Sequence, residues 1–227
     1  MKNVQTVSDE VRGVLFDLDG TLLDSFHVHF TAYHNTFVRF GIRLTEDDFR
    51  QCYSPDWNRV YAAMGLPRTQ WELASTYWLE EAAKEEAPLF KGVQELLAEL
   101  RRTYALGLVT SGSRIRIQTD LIRTQLSECF RVVVTGDDVR VPKPSPEGLQ
   151  IALKQLSLLP HQAVYVGDTE ADHAMAKSAD VEFLAVSSQF SPPGFGTACP
   201  WMKSILELRD ISLHGKHFRT LLTARGK

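Results

Sequence analysis

The chain is poor in cysteine. It has three in 227 residues, Cys52, Cys129 and Cys199, widely separated and without a C-x-x-C pair. An odd number at such spacings argues against a disulfide framework or a structural zinc site and predicts free thiols in a reducing compartment. Long apolar runs are missing as well. No stretch approaches the roughly 18 residues a membrane-spanning helix needs, and residues 1–10 are too polar for a secretory signal. No charge sign dominates, since 25 Lys+Arg against 28 Asp+Glu leave a formal charge of −3. A global basic footprint for nucleic acid is therefore lacking. There is no internal repeat and no low-complexity tract. These absences predict a cytoplasmic globular protein with neither nucleic acid nor membrane among its partners; a monomer or homodimer is expected, with the sequence deciding neither. At 227 residues it can bury a full core without covalent staples.

What the chain does have is alternation. Apolar runs at 11–16, 104–109, 130–135, 163–166 and 183–186 read as strands, separated by segments of helical period. Val93, Leu96, Leu97 and Leu100 recur at helical spacing. So do Leu149, Ala152, Leu153 and Leu156, after Ser145 as N-cap and Pro146 at the first helical position. Residues 172–179 read as a third short helix. Such alternation predicts an α/β fold: a Rossmann-like parallel sheet with helices on both faces.

One interval breaks the pattern. From 25 to 89 there is no strand signal. Phe26, Phe30, Tyr33, Phe37 and Phe40 make one apolar helical stripe, and Thr45 before Glu46-Asp47-Asp48 reads as a capped helix start. Residues 57–64 and 69–87 read as further helices. A crossover between parallel strands needs only about a dozen residues. The interval is therefore read as an inserted all-helical cap subdomain, 25–89, which divides a core of 1–24 and 90–227. After Pro192 the signal fades. Ile205, Leu206 and Leu208 are assigned to a last short helix, and the basic tail beyond Asp210 to a frayed terminus.

Open parallel sheets carry their sites at the carboxyl ends of the strands. The residues just past the strands are Asp17-Leu18-Asp19-Gly20-Thr21, Thr110-Ser111-Gly112-Ser113, Gly136-Asp137-Asp138, and Gly167-Asp168-Thr169 with Asp172, while Lys143 precedes the third crossover helix. Taken singly, each acid reads as a helix cap, Lys143 as a surface lysine and Thr110 as a turn residue. In order and together they suit a magnesium ion and a phosphate. A carboxylate can attack phosphorus and form an aspartyl-phosphate. A divalent cation offsets its repulsion from the phosphate dianion. A second carboxyl two residues on can protonate the leaving group and then deprotonate water. Thr110, backbone N–H groups and Lys143 can steady the equatorial oxygens. A calcium loop does not fit, because glycine is fourth and Val28 twelfth from Asp17. Nor does a serine nucleophile, since Val109 stands where G-x-S-x-G requires glycine.

Asp17-Leu18-Asp19-Gly20-Thr21-Leu22, Thr110, Lys143-Pro144 and Gly167-Asp168-Thr169 with Asp172 resemble, in order and spacing, the four motifs of the haloacid dehalogenase superfamily of phosphohydrolases. The helical insertion after the first motif resembles the cap of the subfamily containing phosphoglycolate phosphatase and beta-phosphoglucomutase. The resemblance implies Asp17 as nucleophile, sharing Mg2+ with Asp168. Asp19 becomes the general acid/base and a main-chain metal ligand. Thr110 and Ser111 become phosphate ligands, Lys143 bridges nucleophile and phosphate, and Asp172 orients the metal shell from behind. Asp19, which the dehalogenases themselves lack, points to phosphoryl transfer rather than carbon–halogen cleavage. The implied activity is Mg2+-dependent hydrolysis of a small phosphorylated metabolite. The alternatives are a sugar-phosphate mutase and, more remotely, a phospho-acceptor receiver domain.

Three departures matter. His29 falls where the mutase branch has a cap histidine, and by itself reads as part of the helix face turned toward the core. The mutase Gly-x-x-Arg signature is replaced by Cys52-Tyr53-Ser54-Pro55-Asp56-Trp57. Asp180 stands where relatives carry glycine, which predicts an altered helix end. Within 25–89 acids outnumber bases, so the insertion is no basic lid for a polyanion; any one of its arginines, Arg59 for example, could face the site, the others being solvated.

Overall fold

The computed structural model describes residues 10–191, 195 and 199–211. The expected strands form as β1 (Gly13–Phe16), β2 (Ala105–Val109), β3 (Val132–Val134), β4 (Ala163–Gly167) and β5 (Glu182–Val186). A further strand, β6 (Trp201–Met202), is too short to leave a periodic signal. They make one parallel sheet in the order β3-β2-β1-β4-β5-β6. From β1 the chain builds outward to β3, then returns to add β4 on the other side. Next to β1 lies the crevice in which such sheets bind ligands.

The helices are α1 (Phe26–Val38), α2 (Glu46–Cys52), α3 (Trp57–Ala63), α4 (Trp71–Ala82), α5 (Val93–Leu100), α6 (Arg114–Arg123), α7 (Glu147–Leu156) and α8 (Glu170–Ser178). Alternate strand residues serve opposite faces of the sheet. Val14, Phe16, Val164, Val166 and Leu184 pack with Leu96 and Leu97 of α5 and Ile117 and Leu121 of α6. Leu15, Tyr165, Phe183 and Ala185 pack with Leu149 and Leu153 of α7 and Met175 of α8. Both faces are covered, so the strands carry almost continuous apolar runs.

Helices α1 to α4 fill the long interval and build a core of their own from Phe26, Tyr33, Phe37, Phe49, Tyr61 and Trp78. Thr45 caps α2 reciprocally: Asp48 N–H donates to its Oγ1 at 3.1 Å, and its own N–H donates to the Asp48 carboxylate at 3.0 Å. Phe190, from the loop after β5, completes this aromatic core.

Some boundaries differ from expectation. The 69–87 segment resolves into a 3-10 turn (Arg68–Gln70) and α4, which stops at Ala82. Glu80, Glu81, Glu85 and Glu86 crowd its end, where the helix dipole disfavours negative charge. Helix α7 begins at Glu147, with Pro146 in the cap position and Ser145 Oγ accepting from the Glu147 N–H at 3.4 Å, one residue later than expected. The last short helix is a 3-10 segment, Ile205–Arg209, capped by Ser204. Asp180 does not alter the end of α8. It adopts φ +55°, the left-handed conformation a glycine would take there and one that Asp tolerates better than most residues. The basic tail lies outside the described residues, apart from Ile211. Cys52, Cys129 and Cys199 are free. Among the described residues no helix is long and apolar enough to cross a membrane.

Candidate active site

The strand order brings the sequence-derived residues to one end of the sheet. Asp17 continues β1, its N–H bonded to the Val166 carbonyl of β4 at 2.8 Å. Lys143, 126 positions further along the chain, places Nζ 2.6 Å from Asp17 Oδ1. The same nitrogen lies 2.8 Å from Asp172 Oδ1 and 2.8 Å from the Tyr165 hydroxyl. Asp172 is held from its other oxygen by Thr169, whose N–H and hydroxyl reach it at 3.1 and 2.5 Å in the capping box that starts α8. Asp168 receives the Ser188 hydroxyl at 2.5 Å and the Thr21 hydroxyl at 3.3 Å. All four groups are buried. Gly20 is required at the turn after β1: it sits at φ +76°, and a Cβ there would overlap the Asp168 carboxylate and press on Phe190.

Thr110 and Ser111 follow β2 at the same end. Thr110 N–H bonds Val134 O at 2.9 Å, and its Oγ1 accepts from the Gly112 N–H at 3.3 Å. The Ser111 hydroxyl is buried in the cleft and has no partner among the described residues. Asp19 stands apart from the Lys143 cluster. Both of its carboxylate oxygens receive the Arg116 guanidinium, and His29 Nε2 of α1 lies 3.5 Å from Oδ1 without a hydrogen bond.

Burial and neighbours set the charge states. Burial, then Asp172 and Asp19, push Asp17 up to about 7 against the opposing pull of Lys143. Burial with Asp172 and Asp17 drives Asp168 well above the usual carboxylate range. Burial also acts to raise Asp19, but Arg116 and His29 outweigh it and hold this carboxyl well below that range. Burial lowers His29 to about 4 despite the attraction of Asp19, which leaves the imidazole neutral at pH 7. Burial opposes the charge on Lys143, yet Asp17 and Asp172 raise it above an ordinary lysine, so it stays cationic.

Above these groups lies a cleft between the sheet edge and the inserted helices. Its floor holds Asp17, Asp19, Thr110, Ser111, Lys143 and Arg116, and its roof is mainly aromatic: Tyr53, Trp57, Trp78 and His29. Arg59 is not part of it. Its side chain is 68% exposed and lies 3.9 Å from Asp56. Asp17, Asp168 and Asp172 each offer a carboxylate oxygen, all within 4.8 Å of one another. A hard cation with ligands at ~2.1 Å would need only a small adjustment of these side chains. Three buried carboxylates facing one lysine are short of positive charge, and the all-oxygen donor set suits Mg2+.

Several residues here escaped sequence reasoning. Arg116 had a signal: with Arg114 it puts basic charge in the first turn of α6, against the helix dipole, and each finds an acid, Asp138 for Arg114 and Asp19 for Arg116. Ser188 and Phe190 had none, being ordinary loop residues. Tyr165 read only as part of an apolar strand.

Comparison with known proteins bears on this geometry. A family model described as haloacid dehalogenase-like hydrolase matches residues 14–186. Pyrophosphatase PpaX of Bacillus velezensis is 31% identical over 181 residues, covering 78% of this chain and 83% of that protein. A haloacid dehalogenase-like hydrolase from Bacteroides fragilis superposes with a TM-score of 0.81 at 25% identity, covering 88% of this chain and 100% of the other. A Lactobacillus plantarum structure described as a phosphoglycolate phosphatase has a TM-score of 0.80 over 88% of this chain and 99% of its own. Its 19% identity speaks for the fold alone. With these motifs on these strand ends and a family match spanning most of its length, the chain belongs to the haloacid dehalogenase-like hydrolases.

Proposed function

We propose that this hydrolase is a Mg2+-dependent phosphatase that cleaves a small phosphate monoester through an aspartyl-phosphate at Asp17. The observation that carries the reading is the bridge made by Lys143 between Asp17 and Asp172, beside Asp168, at the carboxyl ends of β1 and β4. The PpaX relative, a pyrophosphatase by its name, favours the same reaction class, hydrolysis at phosphorus. Asp17, Asp168 and the main-chain carbonyl of Asp19 would hold the ion, with Asp172 behind them keeping Lys143 and Thr169 in place. When bound, the ion supplies positive charge that keeps Asp17 ionised and offsets its repulsion from the phosphate.

The protein's own groups then divide the work. An Asp17 oxygen attacks phosphorus as the ester P–O bond breaks; Asp19, ionised beside Arg116 in the free protein, has to take up a proton from solvent as substrate binds and passes it to the departing oxygen. Asp19 then takes a proton from water, whose oxygen attacks the aspartyl-phosphate and releases inorganic phosphate, regenerating Asp17. Lys143, Thr110 and the Ser111 hydroxyl steady the phosphoryl oxygens. We assign residues 25–89 as a cap over the 1–24 and 90–227 core, its aromatic roof excluding water during transfer.

The second reading, a sugar-phosphate mutase, draws on one observation: His29 Nε2 faces Asp19 across 3.5 Å. A panel of phosphate monoesters and pyrophosphate, assayed with and without Mg2+ for free phosphate and for isomerised product, separates the two. Phosphate release that requires Mg2+ is expected. Isomerisation with little free phosphate would replace the phosphatase by the mutase.

A further inference from the structure

Apart from Lys143, Arg116 is the one Lys or Arg side chain among the described residues lining the cleft, and it holds Asp19, the group assigned above to the leaving oxygen. Its guanidinium grips both oxygens of Asp19 and stands 3.6 Å from Asp120. Gly112 makes room for it: a Cβ at Gly112 would come within 2.7 Å of the Arg116 Nη2. The side chain is 25% exposed and lines the cleft.

Under the phosphatase reading, on which this inference rests, Asp19 must meet the ester oxygen of the leaving group. Any atom one or two bonds beyond that oxygen then passes the guanidinium that Asp19 occupies. An uncharged leaving group would have to loosen a charge-assisted, two-point ion pair and offer nothing in exchange. A carboxylate or a second phosphoryl group matches the same planar fork and replaces what Asp19 gives up. We infer that Arg116 is a specificity-determining residue that binds an anionic group on the leaving side of the substrate, freeing Asp19 to reach the ester oxygen. The preferred substrate class is accordingly a compact phosphate ester or anhydride with a second negative charge close to the scissile bond. Within this cleft the aromatic roof offers no further lysine or arginine; Arg50 and Arg59 line the adjoining cavity past Tyr53 and Pro55.

The test is a matched pair of two-carbon esters, phosphoglycolate and 2-hydroxyethyl phosphate, with pyrophosphate as a second anionic leaving group. All are assayed at saturating Mg2+ with wild type, Arg116→Gln and Arg116→Lys. The wild type is expected to favour the two anionic substrates in kcat/KM. Arg116→Gln should shrink that preference on the order of 10- to 100-fold, the usual worth of a hydrogen bond to a charged group, mostly through KM. Arg116→Lys should restore part of it. Because the ratio is internal to each preparation, a partly unfolded variant does not distort it, and the lysine variant carries the test if the glutamine variant does not fold. An equal loss on charged and uncharged substrates would show that Arg116 acts only by holding Asp19 and would overturn the inference, as would a wild type without preference. A wild type that hydrolyses none of the three would instead bring down the phosphatase reading itself, and this inference with it.

Discussion

The ring of Phe190 lies 4.3 Å from that of Tyr53, centroid to centroid, so a loop leaving β5 is embedded in the aromatic core of the inserted helices. Two residues before it, Ser188 donates to Asp168 at 2.5 Å, and one residue after it Ser191 donates to the Asp168 carbonyl at 2.8 Å. The packing of the insertion and the pose of a candidate metal ligand thus share one short strap.

Phe190→Ala should destabilise the protein by about 3–5 kcal/mol, the usual cost of emptying a buried phenylalanine site. Chemical denaturation measures it. Ser188→Ala removes only the hydroxyl, and should raise the Mg2+ concentration for half-maximal activity on the order of 10-fold with little change in melting temperature. An unchanged Mg2+ requirement would mean that the strap does not orient Asp168.

Asp17→Asn should abolish phosphate release, because the amide oxygen is a poor nucleophile. The fold should persist, since the change preserves shape and removes a buried charge. Undiminished hydrolysis by this variant would reject the nucleophile assignment.

Lys143→Met keeps the aliphatic volume but leaves Asp17 and Asp172 without their common cation. Breaking a buried pair from one side costs about 3–5 kcal/mol, so the Mg2+-free variant should melt well below wild type. Mg2+ should recover part of that loss, and turnover should fall on the order of 100-fold or more. Melting curves with and without Mg2+ beside a phosphate-release assay check both statements.

Mg2+ should stabilise the protein more strongly as pH rises. Asp17 ionises at about 7 in the folded, metal-free chain against 3.8 for an ordinary aspartate, and Asp168 is raised as well. Between those values the folded state holds the extra proton, so this group's contribution to stability falls as pH rises through the window. A bound cation favours the ionised form and reverses that penalty. The Mg2+-induced increase in melting temperature should therefore be small at pH 5 and large at pH 7.5; a constant increment would contradict the burial of these carboxylates.

The α/β class, the positions of five of the six strands, the helical interval and the residues that gather at the sheet end are all legible in the chain. They rest on local properties. Strand and helix periods are set by backbone geometry within a few residues, and parallel strands must deliver their carboxyl ends to one edge. What only folding decided is which group neutralises which. Arg116 meets Asp19 across 97 positions and Lys143 meets Asp17 across 126, while Ser188, Phe190 and Tyr165 carry no local mark of their roles. Arg59 drew notice along the chain and Arg116 did not, yet strand order and helix packing leave the Arg59 side chain largely exposed beside Asp56 and put Arg116 in the cleft. The raised Asp17 and the neutral His29 likewise depend on how much water the assembled walls exclude. Desolvation and through-space charge are properties of distance in the folded molecule, and spacing along the chain does not encode them.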